Sequence, residues 1–528
     1  MSGPDRRGAA LSALAAIVLA LPFLGRAYHI DEPFFLAVAR HALVDPFRPL
    51  GFLFNWYGES VPMSTLNNTP PVIYVLLALA WKLTGGTEIL MRLLFLPLDA
   101  AAAAALYLLS ARLLRRPLWP VLAVLVSPAY ALTMGHLCPE KAAVAFGLWG
   151  LYACVRGVEN RDARWLHASA ALLAGASLSK YHAAFLIFPA AGFALDRGLP
   201  LRRVAVLAAA ALAPTVIFAA LSSTGGGGVE AAWKVTAEAA GSWWSGPVHK
   251  GRSFFAFAGG SLGAAGLWTL GVGRRERVVW AGACLPALLF LAAGDAVPGV
   301  SGADRLLGVV LAAAGGASLA WLFFGSGRTV PGWALWAPWI LGAALVQWVL
   351  YWAVLGRLTM FMAAPLILAL AAGLEARLDE VASRKVFVFS AAATLLLTLA
   401  LSGVDFRYAG IQRDFAREVG RAYRQKGVRV WYTGHWGFQH YLEEEGALPL
   451  EHSKGGWDLA KPGDVVLWGK VNSNVLRARG KRLANVRTLR VEHPLPLRLM
   501  SAEAGQAGFY SSGFGFLPFT FSREALEE

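Results

Sequence analysis

Long apolar runs recur through the first four hundred residues of this 528-residue chain, and every second loop between them is basic. Nothing else in the sequence limits the fold so tightly. A single run of roughly 18 apolar residues reads as a membrane helix, and a long series of them in a chain 57% hydrophobic and 15% charged demands a bilayer. The formal net charge of +15 does not point to nucleic acid, because Lys and Arg gather in the short loops, the signature of membrane topology. Cys138, Cys154 and Cys284 are too few for a disulfide framework and lack metal-ligand spacing.

Arg6 and Arg7 precede the first run, Ala9 to Leu24, and place the N-terminus in the cytoplasm by the positive-inside rule. Leu21-Pro22-Phe23-Leu24-Gly25 is a poor signal-peptidase site, so the run is read as a retained first helix. Residues 31–42 and 71–83 are too short or too mixed to span. Their stripes, Phe34, Phe35, Val38 and Ala42 in one and Ile73, Leu76, Leu77 and Ala80 in the other, predict helices lying at the outer interface. Further spans are expected near 92–111, 117–134, 141–155, 165–179, 181–196, 203–221, 254–271, 278–293, 306–324, 333–355, 358–374 and 386–403. With the first helix they make about thirteen. Arg112/Arg115/Arg116, Arg156/Arg161/Arg164, Arg197/Arg202/Arg203, Arg274/Arg275/Arg277, Arg328 and Arg377/Arg384/Lys385 then all fall on the cytoplasmic side, and the C-terminus falls outside.

The outward loops collect the polar residues. They hold Asp31 and Glu32, then Asn67-Asn68-Thr69-Pro70-Pro71, His136-Leu137-Cys138-Pro139-Glu140 and Ser179-Lys180-Tyr181-His182. A Gly/Trp-rich stretch from Ser222 to Arg252, Asp304-Arg305 and Gly356-Arg357 complete the set. Carboxylates and cations from distant parts of the chain are thus expected at one depth. Residues 1–403 form the membrane domain in this reading. Residues 404–528 are polar enough for a small external α/β domain, with helices over 406–426 and 436–445 and strands over 428–433 and 464–468.

On these residues the chain resembles the polytopic glycosyltransferases of the GT-C fold that use lipid-phosphate sugars. It is most similar to bacterial relatives of protein O-mannosyltransferases and to aminoarabinose transferases, families 39 and 83. Asp31-Glu32 after the first helix resembles their first-loop acidic pair. Thr69-Pro70-Pro71-Val72-Ile73-Tyr74 resembles the Pro-Pro stretch that follows it. Glu88 to Arg92 and the Ala-rich helix behind it resemble the next block. Ser127-Pro128 through Glu140 resembles the second outward loop, and Gly175 to Pro189 the block with an outward Lys. The likeness covers roughly the first 200 residues, and the remaining helices by topology.

The resemblance implies a polyprenyl-phosphate sugar as donor, an acceptor on a lipid, glycan or protein, and an inner-membrane protein with its active site on the periplasmic side. It assigns the first acidic residue, Asp31, as general base, with Glu32 orienting it or the acceptor and Glu140 as a second acidic residue for sugar or metal. Lys180, Arg305 and Arg357, each at an outward helix end, would neutralise the donor phosphate. Some relatives carry Glu-Lys before the Pro-Pro, with the Glu holding a metal. Asn68 and Thr69 stand there in this chain, and an amide is the poorer ligand, so a divalent metal stays open. His136 and Glu140 offer only two further ligands in one loop. No Walker motif or dinucleotide fingerprint is present, in keeping with a donor activated by its own phosphate. Gly225 to Gly228 reads as a flexible loop, and Trp243 and Trp244 as interfacial anchors. A transporter or flippase, and a ligase using diphosphate-linked glycans, are the alternatives. A transporter places its charge near the bilayer midplane, whereas the charge here crowds one surface.

Overall fold

The computed structural model describes residues 3–56, 58–67, 69–223, 246–292, 301–472, 475, 483, 486–501 and 507–528. Among them, eight helices are long and apolar enough to cross a membrane. They are Asp5–Phe23, Glu88–Ser110, Leu201–Ser222, Pro247–Gly273, Gly302–Phe324, Trp333–Leu350, Gly356–Glu375 and Glu380–Gln425. The other expected spans are helical too, but shorter or more polar: Pro139–Asn160, Ala163–Ser179, Tyr181–Asp196 and Arg277–Ala292. The span expected over 117–134 is broken in two, Leu118–Leu125 and Pro128–Met134. Pro128 has no N–H to continue the ladder and instead opens the second piece, with extended Ser127 before it. The fold class is therefore that of a helical polytopic membrane protein with a small α/β portion at the C-terminus.

Gly356–Glu375 is buried along its whole apolar window and forms the axis of the bundle. Its first turn therefore delivers Arg357 to the centre of one end. At the other end the loops expected on a common side meet one another. Arg112 pairs with Glu159 at 3.4 Å, the backbone N–H groups of Arg115 and Arg116 donate to Glu375, and Arg377 bonds Ser326 at 2.8 Å.

Helices Glu32–Val44 and Val72–Thr84 form as expected and pack together, with Phe34, Phe35, Val38, Ile73 and Leu77 buried. Between them, strands Leu53–Trp56 and Glu59–Pro62 pair as an antiparallel hairpin. The expected boundary at 403/404 falls inside one uninterrupted rod, Glu380–Gln425. Phe415, Val419 and Tyr423 on that rod lean on the C-terminal core of Val430, Tyr432, Phe438, Tyr441 and Leu442. Three short parallel strands lie in the order Leu448–Pro449, Val430–Thr433, Val465–Trp468, with Trp431 facing both Leu448 and Val466. Helix Trp436–Glu444 makes the crossover that a parallel pair requires. This C-terminal unit sits against the first loop and helix Glu32–Val44, the place where the candidate site begins.

Candidate active site

Asp31 caps helix Glu32–Val44, and Pro33 inside the first turn suits a helix start. Its Oδ2 accepts a 2.6 Å hydrogen bond from the Arg357 guanidinium, 326 residues later. The same guanidinium reaches a second carboxylate, with Arg357 Nε 3.6 Å from Glu140 Oε1. Glu140 stands in the first turn of Pro139–Asn160, where the helix dipole favours an anion. Its side chain is fully buried, and neither oxygen has a hydrogen bond. Lys180 closes Ala163–Ser179, at the end of a helix that favours a cation, and its Nζ donates to Thr69 Oγ1 at 3.1 Å.

Thr69 is held rigidly for that contact. Asn67 accepts from the Thr69 N–H and donates to the Thr69 carbonyl, each at 3.0 Å, while the Tyr74 hydroxyl donates to Asn67 at 2.5 Å. The Tyr181 hydroxyl and His182 Nε2, just past Lys180, are buried without hydrogen bonds, and the His182 ring meets Phe361 edge-on at 5.8 Å. Tyr181 and His182 carry no motif of their own, and only their place beside Lys180 marks them in the sequence.

Glu32, expected beside Asp31 in this site, turns elsewhere. Successive residues on a helix diverge by about 100°, so neighbours in sequence face different surroundings. Glu32 accepts from Arg92 at 2.9 and 3.0 Å, from the His29 N–H at 2.9 Å and from the Leu137 N–H at 2.7 Å. Next to it lies a second buried group. Arg26 bonds Asp405 at 2.8 Å, Tyr510 donates to the other Asp405 oxygen, and His136 bonds Tyr510 at 3.0 Å. His136 thus faces Asp405 rather than Glu140. Burial, and then Arg26, hold its pKa well below the ordinary imidazole range. Sequence reasoning also missed the buried pair Lys141–Asp99, bonded twice at 2.8 Å. The signal was available, since an Asp inside an apolar helix is a costly residue that needs a partner.

Arg305 is exposed on the first turn of Gly302–Phe324, and none of the described contacts of Asp31, Glu140 or Arg357 involves it. Asn68, Gly225 to Gly228, Trp243 and Trp244 lie outside the described residues. Among the described residues no three His, Cys, Asp or Glu side chains come together to hold a metal ion. Asp31 and Glu140 both face the Arg357 guanidinium.

Residues 68–223 match the family model described as dolichyl-phosphate-mannose-protein mannosyltransferase. That stretch carries Thr69, Glu140 and Lys180, and over it the expected resemblance to GT-C glycosyltransferases is borne out. No curated protein matches the chain. Among solved structures, ArnT from Cupriavidus metallidurans bound to undecaprenyl phosphate is 17% identical over 87% of this chain and 89% of that one, with a TM-score of 0.44. The apo state of ArnT from the same organism is 16% identical over 86% and 88%, with a TM-score of 0.42.

Proposed function

We propose that this chain is a membrane glycosyltransferase that moves a sugar from a polyprenyl-phosphate donor to an acceptor hydroxyl on the outer, periplasmic face of a bacterial inner membrane. The observation that carries the reading is the convergence of Asp31, Glu140, Lys180 and Arg357 from four separate elements on one end of the bundle. Two acids and two cations at a boundary suit a reaction that removes a proton and releases a phosphate.

Asp31 is the proposed base. Its side chain is 30% exposed, open to an acceptor, while Arg357 fixes its direction. The acceptor oxygen attacks the anomeric carbon as its proton passes to Asp31. The bond from that carbon to the phosphate oxygen breaks, and polyprenyl phosphate leaves with the electron pair. Lys180 and Arg357 stabilise the charge that gathers there. Arg357 can serve both partners, because its guanidinium has five N–H donors and Nε is without a hydrogen bond. Glu140 balances this positive charge and offers two open oxygens to sugar hydroxyls. Glu32 and Arg305 are given no part in the chemistry.

Purified chain, supplied with labelled sugars on polyprenyl phosphate, polyprenyl diphosphate or a nucleotide, tests the donor. Transfer from the first alone is expected, and transfer only from a diphosphate refutes the assignment. Comparing glycolipids and glycoproteins of cells with and without the gene identifies the acceptor.

A further inference from the structure

We infer that helix Trp436–Glu444 of the C-terminal unit is a positioning element for Asp31, acting through Tyr441 and Gly437 on the backbone just before it. The inference rests on the transferase reading above for its kinetic consequence, but not for its geometry.

The segment Tyr28-His29-Ile30 leads directly into Asp31, and the C-terminal helix grips it from several sides. Tyr441 Oη accepts a 2.7 Å hydrogen bond from the Tyr28 N–H and donates to Glu88 Oε1 at 3.0 Å. The Tyr441 and Tyr28 rings lie nearly parallel, and the His440 ring meets Tyr28 edge-on at 5.5 Å. Gly437 allows the closest approach. A Cβ there would stand 2.3 Å from the Tyr28 carbonyl oxygen, which is backbone and has nowhere to go.

Two strained residues mark the same contact. Ile30 has φ +51° and Trp436 has φ +62°, a left-handed region that a β-branched or bulky side chain rarely enters. Their side chains share one buried cluster with Tyr408, Val471 and Met500. Backbone strain of this kind persists only where surrounding structure over-determines it, and it gathers at functional sites. Here the left-handed turn at Ile30 decides where the next residue points. Asp31 then meets Arg357 while Glu32 goes to Arg92. The C-terminal unit therefore reaches the reaction without contributing a group to it. It holds Ile30 in a conformation the isolated loop would leave, and so sets the direction of the base.

Tyr441→Phe removes the acceptor for the Tyr28 N–H together with the bond to Glu88, keeps the ring, and is the variant to test. The expected result is a fall in kcat of about tenfold, with KM for the polyprenyl-phosphate donor within about twofold. Lys180, which binds the donor phosphate in the proposed reaction, is left in place by the change. Adding Ile30→Gly should recover part of that kcat, because glycine takes a left-handed φ without steric cost. A residue that merely stabilised the fold would not be rescued by cutting away a buried side chain. Amide hydrogen exchange over residues 28–31 is read in parallel. Faster exchange in Tyr441→Phe supports positioning even if the wild type transfers no sugar, in which case the functional reading alone fails. Unchanged exchange, wild-type kcat, or loss without rescue by Ile30→Gly would each overturn the inference.

Discussion

Replacing Asp31 with asparagine is expected to lower transfer from a polyprenyl-phosphate sugar by about 10²–10⁴, the usual loss when a general base is removed. That is about 3–5 kcal/mol of barrier. The fold should barely notice. Asparagine matches aspartate in size, and its carbonyl can still accept from Arg357. The side chain is 30% exposed, so the lost charge assistance is screened and worth about 1 kcal/mol or less. Arg357 also keeps Glu140 as a counter-charge 3.6 Å away. The neighbouring change, Glu32→Gln, should do the reverse. It leaves the buried Arg92 guanidinium without its anion and disturbs bonds to two backbone N–H groups, a loss of about 3–5 kcal/mol. Initial rates with a synthetic donor, beside thermal unfolding followed by tryptophan fluorescence in detergent, separate the two effects. Near-normal turnover by Asp31→Asn at normal expression would refute the assignment of the base and make Glu140 the next candidate. Wild-type stability of Glu32→Gln would refute the division of labour between the two carboxylates.

Lys180→Ala should weaken use of the donor by about 1.5–3 kcal/mol, the scale of a charge-assisted hydrogen bond, read as a rise in donor KM. Wild-type saturation would refute the assignment of the lysine to the donor phosphate. A reporter fused after Glu528 should be active only outside the cytoplasm, and one fused near Arg116 or Arg203 only inside. A cytoplasmic C-terminus would overturn the topology. Burial lowers the pKa of both His435 and His440 to about 4, below the ordinary value of about 6.5. Between those values the unfolded chain takes up protons that the folded one refuses, so stability is full above about pH 6.5. It should fall by about 1 kcal/mol per histidine for each pH unit below that. A melting temperature that stays flat from pH 7 to 5 would contradict it.

The bundle was legible because apolar length and loop charge are local properties, readable one segment at a time. Asp31, Glu140 and Lys180 were legible for the same reason, as charged residues at helix ends assigned to one side. Their pairing was not, since Asp31 and Arg357 are 326 residues apart and only packing around the axial helix brings them together. Sharing a side is also weaker than sharing a site. Arg305 and Arg357 are equivalent by topology, yet one is exposed on its first turn and the other stands between two carboxylates. The surroundings that the Asp31-Glu32 pair is turned toward depend on a left-handed isoleucine. Composition gives no sign of it, because the contacts that enforce it come from Trp436 to Tyr441 at the far end of the chain.

The way this protein treats its buried carboxylates separates structure from chemistry. Glu32, Asp99 and Asp405 have both oxygens engaged by hydrogen bonds from Arg, Lys, Tyr or backbone N–H groups. A buried charge needs such partners, because leaving it without them costs several kcal/mol. Glu140 is as deeply buried as any of these. Among the described residues it is the one buried carboxylate with neither oxygen bonded. Arg357, Lys180 and the dipole of its own helix offset its charge without satisfying its lone pairs. A side chain there that served stability alone would be apolar or fully bonded, as Glu32 is. Glu140 costs stability in the place where His182 Nε2 and Arg357 Nε are also buried and unbonded. Open donors and acceptors around a neutralised charge are the groups that a sugar's hydroxyls and a phosphate's oxygens would engage.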